Sequence, residues 1–499
     1  MHQPECHERR WGGSIWPVIL LAAVGLGLYW HTLSAPFIFD DAVAIVGNDS
    51  IRAVTPAVLS APRNTPTAGR PVVNATLALN YALGGLDPTG YRAVNIAIHV
   101  LCAMTLYGIV RRTLLCGTAE RAFASSPVLG RPNTGDVAGA PSAVPRHLVV
   151  ALSASMLWLV HPLQVECVSY VTQRTESIMA LFFLLTLYSA IRGWTVVAIV
   201  ACGLGMASKE SMVAAPLLIV GYDWAYRVKP WRQVLARRRG LYMGLAATWI
   251  VLLALSVGGP RSETVGFGHG VTAWQYGLNQ CVVVVNYLGR VVWPDGLLLD
   301  YGFPVSLDLA EAAPWALGLL GLIGLTVVLL WRWPRLGYPA AWFFVVLAPT
   351  SSVVPIATEV AADRRVYLAL AGITVLAAVA GFAMLESVGR RLGGQGRRGP
   401  RFAVATALVA LIVAATPLSI VTWRRAAMYC EPVMLWEQAV EAHPRNHRAL
   451  TNLAVTLAAE GRYAEATVHM LRAAVIDPDS TITADNLAAL LAAGASRDR

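Results

Sequence analysis

The chain is poor in charge for its length. Only 14% of its 499 residues are Asp, Glu, Lys or Arg, whereas 56% are hydrophobic. An ordinary soluble domain carries about 25% charged residues, so this chain cannot cover a water-facing surface of the expected size. A soluble enzyme is excluded for most of the sequence, as are collagen-like and wholly disordered classes. We therefore predict an all-α polytopic membrane protein with a soluble appendage.

Lysine is almost absent, because Lys209 and Lys229 are the only two in the chain. The net charge is nevertheless +10, and nearly all of the basic residues are arginines. They cluster between apolar runs, as expected for the cytoplasmic loops of a membrane protein. No basic stripe lies on a soluble module, which argues against nucleic acid as a partner.

Cysteine pairs are absent. The seven cysteines are scattered, and none forms a CxxC or CxxxC pair. Closely spaced pairs are the usual sign of a structural zinc site, and a dense set is the usual sign of a disulfide framework. The sequence therefore indicates neither, and it leaves the redox compartment open.

Eleven apolar runs are candidates for membrane-spanning helices. The first, 15–33, can cross about 30 Å of hydrocarbon. It follows Arg9 and Arg10, so we expect a signal anchor with a cytoplasmic N-terminus. Several later runs are short, which a helical bundle tolerates where neighbours cover the ends. The later runs are 94–110, 148–159, 178–191, 195–206, 213–226, 241–257, 315–330, 339–354, 366–385 and 402–421.

A twelfth run, 274–293, is ambiguous because it carries four amide side chains and Arg290. If it spans the membrane, the arginine-rich loop 390–401 faces outside. If it lies in the interface or re-enters, all the basic loops face inside, in agreement with the positive-inside rule. We therefore predict about 11 transmembrane helices over residues 1–422. The predicted outer loops are 34–92, 160–177, 207–212, 258–314 and 355–365.

The tail, 423–499, has a different composition and a repeat of 34 residues. Pro444 and Pro478 are 34 residues apart, as are Asn452 and Asn486. This period resembles the tetratricopeptide repeat, a helix–turn–helix unit. One repeat is complete and a half-repeat lies on either side, so we expect the tail to dock on the membrane domain or on itself. The alternative is a helical hairpin without a binding role.

Two adjacent carboxylates, Asp40 and Asp41, follow the first span in an outer loop. Adjacent like charges raise a pKa, and such a pair suits chemistry in which one carboxylate takes a proton. The other would then orient it or hold a divalent ion. The alternative is an exposed loop start with an aspartate cap, and spacing alone favours that alternative.

Cations also lie on the predicted outer face, against the positive-inside rule. Lys209 follows one span, and Arg364 and Arg365 precede another. An anionic ligand such as a lipid phosphate would explain them, and anchoring to lipid headgroups is the alternative. His99 lies within the second span, where an ionisable residue is either functional or bonded to a neighbouring helix.

Seven motifs occur in a fixed order before the repeat tail. They are Phe39-Asp40-Asp41, Arg70-Pro71, the segment 91–99, the segment 161–168, Arg174-Thr175-Glu176, Lys209-Glu210 and the segment 364–368. This order resembles the transmembrane-and-tetratricopeptide-repeat O-mannosyltransferases and their bacterial relatives, within the GT-C glycosyltransferase superfamily. The resemblance covers nearly the whole chain.

The resemblance implies a membrane glycosyltransferase with a GT-C-like bundle. It would move a sugar, expected to be mannose, from a polyprenyl-phosphate donor to a protein hydroxyl on the outer face, with inversion at the anomeric carbon. The resemblance makes Asp40 the general base, and it gives Asp41 the task of orienting the site or holding a metal. Arg364, Arg365 and Lys209 would meet the donor phosphate. The remaining pocket candidates are Arg70, His99, His161, Glu166, Arg174 and Glu176.

The resemblance leaves several properties open. A divalent cation, Mg²⁺ or Mn²⁺, is a candidate cofactor but not a required one. The acceptor is a protein or a glycan, which the short tail would contact. The arginine-rich composition favours a bacterial inner membrane, with the site and tail facing the periplasm, over an endoplasmic reticulum membrane. The long cytoplasmic loop 113–146 is expected to be mobile.

Two other functions compete with transfer. A transporter or flippase for a lipid-linked or anionic substrate would need broken helices and charges at the midplane. The halves of this sequence show no internal symmetry. A non-catalytic scaffold would use the repeat tail to recruit a partner, and in that case Asp40 would be dispensable.

Overall fold

The computed structural model describes residues 15–62, 65–124, 145–227, 230–256, 266, 270–352, 354–393 and 398–497. These residues form helices and short helical turns. The transmembrane part contains α1 (Trp16–Tyr29), α2 (Pro71–Gly84), α3 (Pro88–Ala124), α4 (Arg146–Leu159), α5 (Val165–Ser169), α6 (Arg174–Arg192), α7 (Thr195–Met206), α8 (Ala215–Tyr226), α9 (Trp231–Ser256), α10 (Ala273–Val292), α11 (Leu309–Arg332), α12 (Pro334–Leu347), α13 (Leu370–Gly393) and α14 (Arg398–Ala427). The tail contains α15 (Pro432–Ala442), α16 (His447–Ala459), α17 (Tyr463–Ile476) and α18 (Thr481–Arg497).

All eleven predicted apolar runs are helical over most of their length. Within the described residues, six helices are both long and apolar enough to cross a membrane, and a seventh forms if α4 and the segment 162–169, bent by 58°, count as one span. Helices such as α7, with 12 residues, fall below a full bilayer crossing of about 20 residues. The difference from the predicted 11 comes from these short helices. The chain is an integral membrane protein.

The ambiguous run 274–293 corresponds to α10, which has 20 residues. It does not appear among the six candidate spans of the described part, because its polar residues lower its hydropathy. The predicted mobile loop 113–146 begins as helix, since α3 continues to Ala124. Residues 125–144 of that loop lie outside the described part of the chain.

At the centre of the bundle α3 packs on α4 and α6, α4 also packs on α13, and α1 packs on α3 and α4. Gly25 of α1 allows this close approach, since a Cβ there would lie 2.6 Å from a methyl carbon of Val100. The Trp158 indole donates to the carbonyl of Tyr367 at 2.9 Å. This bond fixes the end of α4 against the segment that precedes α13.

The tail consists of antiparallel helix pairs. Helix α16 packs on both α15 and α17, and α17 packs on α18. Gly461, with φ of +81°, makes the turn between α16 and α17, a conformation that favours glycine. The small buried residues Ala454 and Ala466 let these two helices approach closely. The boundary predicted at residue 422 falls inside α14, which ends at Ala427.

The tail contacts loops of the transmembrane part. The sequence led us to expect docking either on the membrane domain or on the tail itself. The rings of Phe303 and His447 stack with centroids 4.7 Å apart. Arg448 forms an ion pair with Asp300 at 2.6 Å. These contacts place the first helix of the complete repeat beside the loop that follows α10.

Candidate active site

The acidic pair lies in the loop that follows α1, after a strained backbone position. Phe39 has φ of +46° and is the only non-glycine residue of the described chain with a positive φ. Such a conformation is uncommon for a bulky side chain and persists where the surroundings hold it. Phe39 contacts the rings of Tyr170 and Trp436. The position just before Asp40 is therefore fixed by both the membrane domain and the tail.

Asp41 is fully buried and bonded at both carboxylate oxygens. One oxygen accepts from the backbone N–H of Thr172 at 2.8 Å and from its hydroxyl at 2.5 Å, and the other accepts from the N–H of Ile38 at 3.2 Å. Burial raises the pKa of Asp41 to about 6, although the bonds from Thr172 act in the opposite direction. Asp41 thus fastens the loop after α1 to the turn before α6.

Asp40 is half-buried and has a different environment. Its backbone N–H donates to the Tyr170 hydroxyl at 3.0 Å. Burial raises the pKa of the Asp40 carboxyl above its usual value, while the Tyr170 hydroxyl, Arg364 and Arg448 oppose that rise. A raised pKa makes a carboxylate a stronger base. Of the two aspartates, Asp40 is the one that keeps part of its surface exposed.

Arg364 lies between two carboxylates near Asp40. Its guanidinium bonds Glu166 at 2.5 Å and Glu359 at 2.5 Å, and its backbone N–H donates to Glu166 at 2.8 Å. Burial raises the pKa of Glu359, but the charges of Arg364 and its neighbours outweigh burial and lower it to about 2. The Arg364 side chain keeps 18% of its surface exposed, so it can still meet an anion.

Glu166 therefore pairs with Arg364, and not with Arg174, eight residues along the chain. The reason is local: α5 ends at Ser169, and Tyr170 is extended with ψ of 111°. The bend separates the face of Glu166 from that of Arg174.

Arg365 is bonded inside the protein, whereas the resemblance implied that it would contact a donor phosphate. Its side chain is 3% exposed. It donates to the Tyr276 hydroxyl at 3.1 Å, to the Thr350 carbonyl at 3.2 Å and to Glu359 at 3.0 Å. These bonds occupy it inside the protein, where it holds the segment that carries Glu359.

Lys209 is also occupied. It forms a buried ion pair with Glu176, so its charge is neutralised in this structure. Nearby in sequence, Glu210 accepts from Arg70 at 3.2 Å, and the Arg70 side chain is partly exposed. The two pairs connect α2, α6 and the turn before α8. Among these residues, Arg70 is better placed than Lys209 to meet a ligand.

Arg174 is a buried structural residue. Its guanidinium donates to Asn95 at 2.7 Å, to Asn80 at 2.6 Å and to the Tyr91 carbonyl at 2.7 Å. These bonds connect the start of α6 to α2 and α3. These hydrogen bonds of the Arg174 guanidinium go to residues other than the two aspartates.

The two candidate histidines also connect helices. His99 bonds the Tyr367 hydroxyl at 2.9 Å through one ring nitrogen and the Leu159 carbonyl at 3.0 Å through the other. His161 bonds the Val291 carbonyl at 3.0 Å. Because both ring nitrogens of His99 are engaged within the bundle, it joins α3, α4 and the segment before α13.

No group of three or more His, Cys, Asp or Glu side chains able to hold a metal ion occurs within the described residues. Asp41 in particular has both oxygens occupied by hydrogen bonds. The residues present therefore do not fit the predicted metal role of Asp41.

Sequence reasoning missed Glu359 and Arg448 as parts of this site. Glu359 lies five residues before Arg364 in the loop between α12 and α13, and the two cations after it are the only local signal. Arg448 lies at the start of a repeat helix, where an arginine usually faces solvent. Its importance depends on docking of the tail, which periodicity alone does not specify.

Comparisons with known proteins find similarity to a repeat family and to curated membrane transferases. The tetratricopeptide repeat family matches residues 435–467. The human protein O-mannosyl-transferase TMTC2 is 24% identical over 274 residues, covering 50% of this chain and 29% of the human protein. Protein O-mannosyl-transferase tmtc2 of Xenopus laevis is 31% identical over 179 residues, covering 34% of this chain and 18% of that protein. The chain is a relative of these transferases.

The matched regions span less than a third of the length of these curated relatives. Among solved structures, ArnT from Cupriavidus metallidurans bound to undecaprenyl phosphate is similar to this chain with a TM-score of 0.46 and 14% identity. That match covers 89% of this chain and 81% of the ArnT chain.

Proposed function

We propose that this chain is an inverting membrane glycosyltransferase. It moves mannose from a polyprenyl-phosphate donor to a Ser or Thr hydroxyl of a protein. The active site and the repeat tail face the periplasm from a bacterial inner membrane. The names of the curated relatives support the activity class, and the partial exposure of Asp40 in the loop after α1 supports the assignment of the site.

The division of the acidic pair is the observation that supports this proposal most directly. Asp41 is buried and bonded at both oxygens, whereas Asp40 is half-buried with a raised pKa. A general base needs access to the acceptor and a pKa nearer to the operating pH than that of an ordinary carboxyl. Asp40 meets both requirements, so Asp40 is the proposed base and Asp41 holds its loop.

In the proposed reaction the acceptor oxygen attacks the anomeric carbon of mannose from the side opposite the phosphate. The new carbon–oxygen bond forms as the bond from the anomeric carbon to the phosphate oxygen breaks. Asp40 takes the proton of the acceptor hydroxyl, and the bonding electrons leave with polyprenyl phosphate. The configuration at the anomeric carbon is therefore inverted.

Arg364 is the proposed partner of the departing phosphate. A guanidinium has five N–H donors, and the side-chain contacts to Glu166 and Glu359 use two of them. Its backbone bond to Glu166 fixes its place in the site. A cation held in advance stabilises the negative charge that develops on a leaving group. Arg70, which is partly exposed, is the proposed second cation at the rim of the site.

The test is mannose transfer by the purified chain in liposomes. Radiolabelled polyprenyl-phosphate mannose and total periplasmic protein are supplied, and the wild type is compared with Asp40→Asn. The matched control is Asp49→Asn, since Asp49 is an exposed aspartate of the same loop. We expect a loss of about 100-fold or more for Asp40→Asn and none for Asp49→Asn.

Equal labelling by the wild type and Asp40→Asn would remove Asp40 as the base. Absence of transfer by the wild type, with every donor and acceptor preparation, would contradict the glycosyltransferase proposal. Movement of intact lipid-linked mannose between leaflets in the same liposomes would then identify a flippase.

A further inference from the structure

A short outer segment connects the repeat tail to the loop of Arg364. This bridge segment is the run Asp300, Tyr301, Gly302 and Phe303. Asp300 and Phe303 contact the tail, through Arg448 and His447. Tyr301 and Gly302 contact the loop that carries Glu359 and Arg364. Four consecutive residues thus touch two parts of the chain that are far apart in sequence.

Arg448 makes the main polar contacts on the tail side. Its guanidinium bonds both carboxylate oxygens of Asp300, at 2.6 and 2.7 Å, and donates to the Thr358 carbonyl at 2.6 Å. It also lies over the Phe303 ring, 5.0 Å from the centroid. Two-pronged contacts of this kind are among the strongest and most directional in proteins. Asp300 is 2% exposed in this pair.

The bridge segment is in turn hydrogen-bonded to the loop that carries Glu359 and Arg364. The N–H of Val360 donates to the Gly302 carbonyl at 3.1 Å, and the Tyr301 hydroxyl donates to Asp363 at 2.7 Å. Thr358 and Val360 flank Glu359, the carboxylate that bonds Arg364. Asp363 precedes Arg364 directly. Arg448 therefore lies at the start of a continuous chain of contacts that ends at the proposed phosphate-binding cation.

We propose that Arg448 is a positioning residue, through which the repeat tail holds the segment 358–364 in place beside Asp40. The inference rests on the proposed function, because it assigns the tail a part in the same reaction. The tail is then a component of the reaction centre and not only a docking module for acceptors.

Several charged and titratable groups face Asp40 besides Arg448. They are the Tyr170 hydroxyl, Arg364 and Glu359. Asp41 is adjacent in sequence, and Arg92 acts on Asp41. Arg448 is one of the cations that lower the pKa of Asp40. Removal of its charge therefore raises the pKa of Asp40. The fall in rate on the acidic side of the pH profile, the acidic limb, then moves to higher pH. A change that keeps the charge leaves that limb in place.

Three variants of the full chain separate geometry from charge. Arg448→Gln removes both the charge and the two-pronged guanidinium contact. Arg448→Lys keeps the charge but cannot make the two-pronged contact. Arg462→Gln is the matched control, since Arg462 lies in the same tail, 40% exposed, and pairs with Glu465. Thermal unfolding of each purified variant shows whether the tail remains folded.

Hydrogen–deuterium exchange in detergent measures how firmly the bridge segment and the segment 358–364 are held. In Arg448→Gln and Arg448→Lys we expect amides of 300–303 and 358–364 to exchange at least about tenfold faster, the effect of losing a charge-assisted hydrogen bond. Arg462→Gln should match the wild type. Unchanged exchange in Arg448→Gln overturns the proposal, whatever the transfer activity.

Mannose transfer measures the effect of the Arg448 variants on the reaction. We expect kcat to fall about 10- to 100-fold in both Arg448 variants, with the acidic limb displaced only in Arg448→Gln. Faster exchange with unchanged kcat would overturn a role in the reaction. Faster exchange in a protein whose wild type transfers no mannose would refute the proposed function, while supporting the link between the tail and the Arg364 segment.

Discussion

Trp436 of the tail and Phe39 of the loop after α1 meet edge to face, with ring centroids 5.3 Å apart. Trp436 is almost completely buried, and Phe39 holds a positive φ directly before Asp40. The half-repeat that begins the tail thus packs on the strained residue beside the proposed base. Together with Arg448 on the other side, this contact means that the tail touches both loops of the site.

Replacing Trp436 with alanine should therefore affect both stability and transfer. Loss of a large buried aromatic costs about 3–5 kcal/mol of unfolding free energy, and Phe39 loses a neighbour that holds its strained backbone. Trp436→Phe keeps an edge-to-face partner and should cost much less. Chemical denaturation gives the stability, and mannose transfer below the unfolding transition gives the rate. Transfer by Trp436→Ala at the wild-type rate would show that the contact does not hold Asp40.

Asp41 should make the folded chain less stable as the pH rises from about 4 to about 6. Its pKa is raised by burial to about 6, from an ordinary value of 3.8, so the folded state binds its proton more tightly than the unfolded state does. The stabilisation is complete below the unfolded pKa and is lost as the pH rises through the folded pKa. At most it amounts to roughly 3 kcal/mol.

The measurement is the unfolding midpoint of wild type and Asp41→Asn between pH 4 and pH 7. The asparagine cannot titrate, so its midpoint should change less over the interval than that of the wild type. Asp49→Asn, which alters an exposed aspartate of the same loop, should follow the wild type. Parallel curves for wild type and Asp41→Asn would show that another group titrates.

Much of this arrangement could be predicted from the sequence. The apolar runs are helices because their side chains can face lipid or one another, and the 34-residue period gives the repeat helices. Asp40, Glu166 and Arg364 were predicted from motif order, and they lie close together in the fold. Local pattern is enough for such features, since each depends on spacing within one segment or on a family resemblance.

The pairing of ionised groups could not be predicted in this way. From the sequence, Lys209 and Arg365 are predicted to be cations on the outer face, but they form ion pairs with Glu176 and Glu359. Arg448 stands as a surface arginine of a repeat, but Asp300 binds it. Each pair joins residues from different elements, so it depends on packing. Sequence spacing contains no information about that packing.

Tyr170→Phe should move the acidic limb of the transfer profile to higher pH. The Tyr170 hydroxyl is hydrogen-bonded to Asp40 and is one of the groups that lower its pKa, against the larger effect of burial. A base must be deprotonated to act, so the rate falls as the pH drops through that pKa. Without the hydroxyl the fall begins at higher pH. The profile of kcat/KM for wild type and Tyr170→Phe, from pH 4 to pH 8, measures the shift.

Tyr91→Phe is the matched control for that experiment. Its hydroxyl donates to the Gly85 carbonyl at 2.9 Å, in the same outer region, and it is not among the groups that affect Asp40. The control should keep the wild-type acidic limb. An unshifted limb in Tyr170→Phe would mean that the titrating base is not Asp40.

Arg364 and Glu166 allow a role in folding to be separated from a role in transfer. Arg364→Gln leaves the buried Glu166 without its cation, and breaking a buried pair costs about 3–5 kcal/mol. The double variant Arg364→Gln with Glu166→Gln removes both charges, so most of that stability should return. Transfer should stay at least about 100-fold low in the double variant, because no guanidinium meets the phosphate.

Denaturation and mannose transfer on the two single variants and the double variant complete the cycle. Recovery of transfer together with stability would assign Arg364 to folding alone and would leave the partly exposed Arg70 as the cation at the phosphate.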